Sequence, residues 1–192
     1  KMDEMLRECD FEQAAQLIEL FLPYLRLKST PRTERVKEDV LRLVGGLVTV
    51  ASEPQQHVRM LSQLFGTVRA RGSRTALCST FAALAEHLAA RGAASPEAAK
   101  LVVVAHALTE LNAFSVEELE EPDYDRRLVA YNRLPALIQD ESGVQLALPL
   151  LCHCIHDVEL DDIALKHSAS HTITLIVQHA AKQPGEAGYA LM

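Results

Sequence analysis

The chain has 192 residues, 48% hydrophobic and 23% charged, with no Trp and a net charge of −7. This length can bury the core of one or two domains, and no apolar run approaches the roughly 20 residues needed to cross a bilayer, so no membrane-spanning helix is expected. Ala and Leu abound, and both enter helices at little entropic cost, so the composition favours packed helices.

The placement of charges and cysteines bears on the surface charge of the chain and on its cellular compartment. Most Lys and Arg lie before residue 95 and most Asp and Glu after it, so an acidic chain keeps a locally basic end. The four cysteines, at positions 9, 78, 152 and 154, do not resemble a disulfide framework, which favours a reducing compartment, the cytosol or nucleus. The sequence starts at Lys1 without a signal peptide, and we expect it to belong to a longer chain.

Helix start signals recur along the sequence. Residues whose side-chain oxygens can accept orphan backbone N–H groups stand before each apolar stretch. They are Asp10, Thr30, Ser52, Ser73, Ser95 and Ser142. Pro31 and Pro96 occupy first helical positions, where a missing N–H costs no hydrogen bond, and Gly72 and Gly92 stand where C-caps are expected. Between the starts, apolar residues recur at intervals of three and four, which is the helical period.

The helix starts fall into pairs. First helices are predicted near Asp10, Ser52, Ser95 and Ser142, and second helices near Thr30, Ser73, Pro122 and Glu159. Two-helix units of about 40–47 residues are typical of HEAT-type repeats. We therefore predict an all-α fold, an α-solenoid of about four HEAT-like helical hairpins, with repeats at about 10–51, 52–94, 95–141 and 142–182 and no β-sheet. A plain helical bundle is the alternative.

Three prolines fall inside predicted helices: Pro23, Pro135 and Pro149. Each removes an i→i−4 hydrogen bond, so each is expected to kink its helix or to end it early.

A metal site is one candidate for chemistry. Cys152 and His156 share a helix face at i,i+4, and His167 and His171 do so on the next helix, so two such pairs could give zinc four ligands. The alternative is that Cys152 packs as a small hydrophobe and the histidines serve as surface or capping groups. Since no CxxC motif accompanies the pairs, we predict that zinc is absent.

Catalytic motifs are missing from the sequence. There is no GxSxG, HExxH or glycine-rich phosphate loop, and Ser115 with Glu118 resembles a capping box. The carboxylates between positions 117 and 125 lack the spacing of a calcium loop and favour a solvated acidic turn. We predict no enzyme activity, no cofactor and no small-molecule substrate.

A basic edge is the third candidate. Alternate turns of a two-helix solenoid lie along one edge, and those of the first two repeats are basic. The candidate partner-contact edge comprises Arg26, Lys28, Arg32, Arg35, Arg69, Arg71 and Arg74. Further along, the same edge becomes acidic through the carboxylate block and then Asp157, Glu159, Asp161 and Asp162. Such an edge suits more than one kind of partner, and the alternative is ordinary solvated loop charge.

The stretch LNAFSVEELEEPDYDRRLVAYNRL, residues 111–134, carries a family resemblance. The matching residues are Leu111, Asn112, Ala113, Phe114, Glu121, Pro122, Asp123, Tyr124, Asp125, Arg126, Arg127, Leu128 and Tyr131. The block resembles a segment of the down-regulated-in-metastasis family, the large HEAT-repeat U3-associated subunit of the small-subunit processome. The resemblance implies a non-enzymatic scaffold in the nucleus and nucleolus, acting in 18S pre-rRNA processing and ribosome assembly, with no catalytic residues to carry over.

The same block is predicted to form a structured corner. We expect a short helical turn over 115–119 and a helix starting at Pro122, with Asp123 and Asp125 in its first turn. Arg126 and Arg127 are expected to pair back onto Glu120, Glu121 or Asp123 and to lock the corner without touching RNA. The candidate structural corner is Glu121, Pro122, Asp123, Asp125, Arg126 and Arg127.

Two functions remain open. The first is the processome scaffold, with other protein subunits of a large assembly as partners and pre-ribosomal RNA as a candidate partner of the basic edge. The second is a HEAT-repeat adaptor for protein transport or trafficking, cytoplasmic, which binds peptide or helical partners.

Overall fold

The structure, a computed structural model, describes residues 10–91, 96–116, 121–139 and 144–182. These residues form helices and no named strand, which confirms the all-α prediction. The helices are α1 (Phe11–Leu25), α2 (Pro31–Leu47), α3 (Gln56–Leu64), α4 (Arg71–Arg91), α5 (Pro96–Leu111), α6 (Tyr124–Gln139), α7 (Val144–Val158) and α8 (Ile163–Lys182). None of them is long and apolar enough to cross a membrane.

Consecutive helices pack as pairs. α1 lies against α2, α3 against α4, α5 against α6, and α7 against α8, as expected for helical hairpins. The pairs are joined by contacts of α2 with α4, of α4 with α5, and of α6 with α8. α3 also packs against α7, so the second pair touches the fourth directly. The predicted limits of the individual repeats stay a prediction.

Two helix starts follow the predicted capping. The Asp10 carboxylate accepts the backbone N–H groups of Glu12 and Gln13, and the Gln13 side chain accepts the N–H of Asp10. Thr30 caps α2 in the same reciprocal way with Thr33, and Pro31 is the first helical residue. The prolines at positions 23, 135 and 149 lie inside α1, α6 and α7, as predicted.

Other predicted starts are wrong. α3 begins at Gln56, four residues beyond Ser52, and its N-cap makes no side-chain bond. Ser73 lies inside α4, which starts at Arg71, and its hydroxyl donates to the carbonyl of Glu34 at 2.8 Å and so does not cap the helix. Gly72 consequently sits in the first turn of α4 and ends no helix. Ser95 and Ser142 lie outside the described residues.

The second helices of the last two pairs also start late. α6 begins at Tyr124, after Asp123, whose carboxylate accepts the N–H of Arg126, so Pro122 precedes the cap and does not open the helix. α8 begins after Asp162, whose carboxylate accepts the N–H of Leu165, and not near Glu159.

One apolar core runs through all four pairs, and it includes Leu41, Phe65, Leu108 and Leu165. The rings of Phe65 and Phe81 meet edge to face with centroids 5.6 Å apart, a favoured geometry for aromatic pairs. Two charged residues, Lys37 and Arg74, are each only 1% exposed. A buried charge must be paired and hydrogen-bonded, so Lys37 and Arg74 require polar partners in the interior.

Candidate functional site: an edge formed by the turns within helix pairs

The turn inside each helix pair lies beside another such turn. We call them turn 1 (residues 26–30), turn 2 (65–71, which includes the first residue of α4), turn 3 (112–123, described except for 117–120) and turn 4 (159–162), and their common surface the turn edge. The edge is held together by specific side-chain contacts and not by proximity alone.

Turns 1 and 2 are joined through Glu34, near the start of α2. Its carboxylate accepts the Ser29 hydroxyl at 2.7 Å, the Lys37 ammonium at 2.9 Å and the backbone N–H of Ala70 at 3.3 Å. Burial alone would raise the pKa of Glu34, but the bonds from Lys37 and Ser29 outweigh it and lower the pKa. The carboxylate is therefore ionised and neutralises the buried Lys37.

Turn 2 also reaches turns 3 and 4. Arg69 pairs with Glu159 of turn 4 at 2.5 Å, with both side chains partly exposed. The Arg71 guanidinium lies 5.2 Å from the ring centroid of Phe114 in turn 3, within cation–π range. Arg127 contacts the same ring at 4.9 Å. Turn 2 is thus the centre of the edge.

Arg74 fills the interior beneath the edge. Its Nε donates to Asn112 Oδ1 at 2.5 Å, and one terminal nitrogen donates to the carbonyls of Phe65 and Val68 at 3.2 and 2.7 Å. The other terminal nitrogen lies 2.7 Å from Nδ1 of His153 on α7. Burial lowers the pKa of Arg74 to about 10, so the group still carries its charge at neutral pH.

Asp157 supplies the opposing charge. Tyr131 donates its hydroxyl to Asp157 Oδ2 at 2.9 Å, and His156 Nδ1 lies 2.8 Å from Oδ1. His153 Nε2 stands 3.1 Å from Oδ2, at ion-pair distance but outside hydrogen-bond alignment. Burial would raise the pKa of Asp157, but the two histidines outweigh burial and lower it well below its ordinary value.

The two histidines of this cluster are neutral. A guanidinium only donates, so Nδ1 of His153 accepts from Arg74 and the ring proton sits on Nε2, which faces Asp157. Burial lowers the pKa of His153, and burial lowers that of His156 to about 4 despite the bond to Asp157. Arg74, His153, His156, Asp157 and Tyr131 are hereafter the buried cluster.

Turn 3 is the predicted corner, with different contacts. Phe114 and Pro122 form an isolated antiparallel bridge, in which Ser115 N–H donates to the carbonyl of Glu121 at 2.8 Å and Asp123 N–H to that of Ala113 at 3.1 Å. The helical turn predicted over 115–119 lies largely outside the described residues.

The two arginines of the corner do not pair as predicted. Arg126 forms a two-point contact with Glu110 on α5, with both N–O distances at 2.6 Å. Arg127 is buried and donates to the carbonyl of Ala113 at 2.8 Å. The bend of the chain brings α5 alongside α6, so these partners lie 14 and 16 residues away in sequence. Glu120 lies outside the described residues.

The predicted partner-contact edge divides into three groups. Arg26, Lys28, Arg32 and Arg35 are exposed and form no ion pair within the described ranges. Arg69 and Arg71 lie on the edge and are engaged with turns 4 and 3. Placing Arg74 on this surface was wrong: α4 starts earlier than predicted, and the position faces the core.

The acidic end shows a similar division. Glu159 and Asp161 are exposed, and Asp162 is half-buried and caps α8. Asp157 was wrongly predicted to lie on the surface, because it belongs to the last turn of α7 and points into the buried cluster.

The four candidate zinc ligands have separate surroundings. Cys152 is half-buried, His156 is bonded to Asp157, and His167 and His171 are exposed. Among the described residues, no group of three or more His, Cys, Asp or Glu is arranged to hold a metal ion. The absence of zinc stays a prediction.

Sequence reasoning missed the buried cluster, although the helical period contained a signal for it. Leu146 and Leu150 continue at intervals of three and four into His153 and Asp157, so the apolar face of α7 runs into polar residues. Arg74 likewise leads the buried series of Leu77, Cys78 and Phe81.

Fold and edge together define a helical-hairpin protein of the class that presents extended surfaces to other macromolecules. Residues 8–190 match the family described as U3 small nucleolar RNA-associated protein 20, N-terminal, and the chain belongs to that family. This confirms the resemblance of the 111–134 block. Members are non-catalytic components of the small-subunit processome in ribosome biogenesis. No solved structure matches the chain.

Proposed function

We propose that the chain is a non-enzymatic scaffold of the small-subunit processome, which acts in 18S pre-rRNA processing in the nucleolus and holds other subunits along the turn edge. Family membership supports the assignment to the processome, and the turn edge supports the proposal that subunits bind along it. The single observation behind the mode is that turn 2 contacts each of the other three turns, through Glu34, Phe114 and Glu159.

The non-covalent contacts between the turns make the edge a preorganised surface. A surface that is already ordered loses less entropy when a partner binds, so more of the contact energy appears as affinity. The edge also carries separated charge, with exposed cations at turn 1 and exposed carboxylates at Asp125, next to turn 3, and at Asp161 in turn 4. Complementary charge steers partners and fixes their orientation, which is what an assembly scaffold requires.

Charge reversal at the acidic end tests this proposal. Asp125 and Asp161 are exposed and form no ion pair within the described residues, so Asp125→Lys with Asp161→Lys changes the surface without breaking an internal contact. Glu53→Lys with Glu86→Lys is the control, since both side chains are exposed, lie away from the edge and give the same change of charge.

Purification of tagged full-length protein from cells is the measurement. The edge variant is expected to recover fewer processome subunits and less pre-ribosomal RNA, with accumulation of unprocessed 18S precursors, whereas the control matches wild type. Equal recovery by both variants would contradict the role of the edge. Recovery of coat or transport proteins in place of processome subunits would favour the trafficking adaptor.

A further inference from the structure

Turn 1 and the start of α2 carry a concentration of free positive charge. Arg26, Lys28, Arg32 and Arg35 fall within ten residues, all are exposed, and none forms an ion pair with a described residue. The whole chain has a net charge of −7, so carboxylates are abundant, and their absence from this patch is a local property of the fold. We call these four residues the cationic patch.

Two of the three carboxylates nearest in sequence are engaged elsewhere. Glu34 faces inward to Lys37, Ser29 and Ala70. Glu38 pairs with Arg42 one turn further along α2. Asp39 is exposed and pairs with none of the patch cations. Because Glu34 and Glu38 are paired internally, the four cations outnumber the remaining carboxylate, Asp39, and the field outside turn 1 is positive.

A cleft opens beside the patch, between turns 1 and 2. It has a volume of about 650 Å³, and its walls include Ser29, Thr30, Arg35, Arg69 and Arg71 together with the carboxylates of Glu34 and Glu38. Two of these arginines have internal partners, but a guanidinium offers five N–H donors, so each keeps donors for a second acceptor. Guanidinium groups stand on both walls and match the oxygens of a phosphodiester chain, while the two carboxylates are paired with Lys37 and Arg42.

Exposed apolar groups flank the cations. Tyr24, at the end of α1, is 49% exposed, and Leu27 within turn 1 is 42% exposed. Aromatic side chains interleaved with cations are typical of sites that bind single strands, in which a base stacks on the ring while phosphates meet the charges. A duplex keeps its bases stacked inside and could not use the tyrosine in this way.

We propose that the cationic patch, the adjoining cleft and Tyr24 form a binding site for single-stranded RNA. The phosphates contact Arg26, Lys28, Arg32 and Arg35, and a base stacks on Tyr24. This proposal rests on the proposed function, which brings the chain into a particle rich in RNA. It assigns RNA to one end of the turn edge and leaves the acidic end to protein subunits.

Photocrosslinking of purified full-length protein tests the site. The probe is a single-stranded oligoribonucleotide that contains photoreactive thiouridine, with a duplex of the same sequence as comparison, and mass spectrometry identifies the crosslinked peptides. One variant changes the four patch residues to Gln. The matched control changes Arg59, Arg91, Arg133 and Lys182 to Gln, which are exposed cations away from turn 1 and give the same loss of charge.

The expected result is crosslinking of peptides within residues 24–35 by the single strand and little by the duplex. Each neutralised phosphate on a single strand adds about 0.7 to the slope of log affinity against log salt, so the patch variant should lower that slope by up to about 3 while the control leaves it unchanged. Tyr24→Leu should reduce crosslinking but leave the slope as it is. Equal slopes for the patch and control variants would overturn the proposal.

The same variants in cells separate this site from the scaffold. If the patch variant still recovers processome subunits but loses RNA crosslinks at 24–35, both proposals are supported, and sequencing of the crosslinked RNA distinguishes pre-ribosomal RNA from U3 RNA. If 24–35 instead crosslinks to an acidic protein segment, the RNA assignment fails while the scaffold stands. Loss of subunit recovery in the Asp125 and Asp161 variant bears only on the scaffold.

Discussion

The Arg74 guanidinium lies 2.7 Å from Nδ1 of His153, inside the protein, and joins α4 of the second helix pair to α7 of the fourth. The residues are 79 positions apart, and neither exposes more than 1% of its surface. The contact coincides with the packing of α3 against α7, and it sits directly beneath turn 2. The edge therefore rests on a charged interior group and not only on apolar packing.

Removal of Arg74 should destabilise the protein strongly. Arg74→Met leaves Asn112 Oδ1, two backbone carbonyls and the His153 ring without their donor, and it removes a buried cation that interacts with Asp157. Breaking a buried charged network from one side costs about 3–5 kcal/mol. Arg74→Lys should recover only a part of the stability, because one ammonium cannot reach all the acceptors that lie around the rim of the planar guanidinium. Urea unfolding followed by circular dichroism measures the change.

Arg71→Met is the control for Arg74→Met, since it removes the same charge three residues earlier. Arg71 is half-buried and contributes a cation–π contact to Phe114, worth about 0.5–1 kcal/mol at such a site. Equal losses for the two variants would mean that the buried contacts of Arg74 contribute little to stability.

The features predicted correctly from the sequence are those that depend on neighbouring residues. Asp10 and Thr30 could be assigned as caps because a cap depends on residues two or three positions away. Ser73 has the same chemistry and was misassigned, because its partner, the carbonyl of Glu34, is 39 residues away. Arg74 was likewise predicted to be a surface charge, because its partners Asn112 and His153 lie 38 and 79 residues away in sequence and meet it only through packing.

Tyr131 offers a finer test of the buried cluster. Tyr131→Phe removes one donor from the ionised Asp157 and keeps the ring, so it should cost about 1.5–3 kcal/mol, the range for hydrogen bonds to charged groups. Tyr124→Phe is the matched control because Tyr124 is 40% exposed, and it should change stability by less than about 0.5 kcal/mol. Thermal unfolding of both variants beside wild type makes the comparison, and a silent Tyr131→Phe would argue against an ionised Asp157.

Stability should fall as the pH falls from 6.5 toward 4. His156 has an ordinary pKa of 6.5, which burial lowers to about 4 in the folded protein, so over this interval the unfolded chain binds a proton that the folded chain refuses. Stability is complete above 6.5 and declines by about 1.4 kcal/mol per pH unit for this group, roughly 3 kcal/mol in all. His153, also buried and lowered in pKa, acts in the same direction.

Substitution of His156 should flatten this pH dependence. His156→Asn can keep an N–H donor toward Asp157 Oδ1 but does not titrate, so the slope between pH 6.5 and 4 should decrease. His171→Asn is the control, because His171 is exposed on α8. Urea midpoints measured across the pH series decide the matter, and an unchanged slope in His156→Asn would place the titration elsewhere, for example at the half-buried His57, whose pKa burial also lowers.

The corner of turn 3 shows a second limit of sequence reasoning. The run from Glu117 to Arg127 suggested pairing within the block, since opposite charges close in sequence are the nearest visible partners. The bridge of Phe114 with Pro122 turns the chain back on itself, so Arg126 meets Glu110 and Arg127 meets the carbonyl of Ala113. The role expected of the pair, to hold the corner, passes to the buried arginine.

Arg127 and Arg126 should therefore respond differently to the same substitution. Arg127→Met leaves the Ala113 carbonyl without its side-chain donor and removes one of the two cations from the Phe114 ring, for a cost of about 2–4 kcal/mol. Arg126→Met breaks an exposed pair with Glu110 and should cost only ~0–1 kcal/mol. Hydrogen exchange at the amides of Ser115 and Asp123, which bond across turn 3, reports on the corner and should accelerate in Arg127→Met alone. Both variants should leave the salt dependence of RNA binding unchanged, since the cationic patch is intact in each. If Arg127→Met abolishes RNA binding while those amides stay protected, the corner and not turn 1 is the RNA contact.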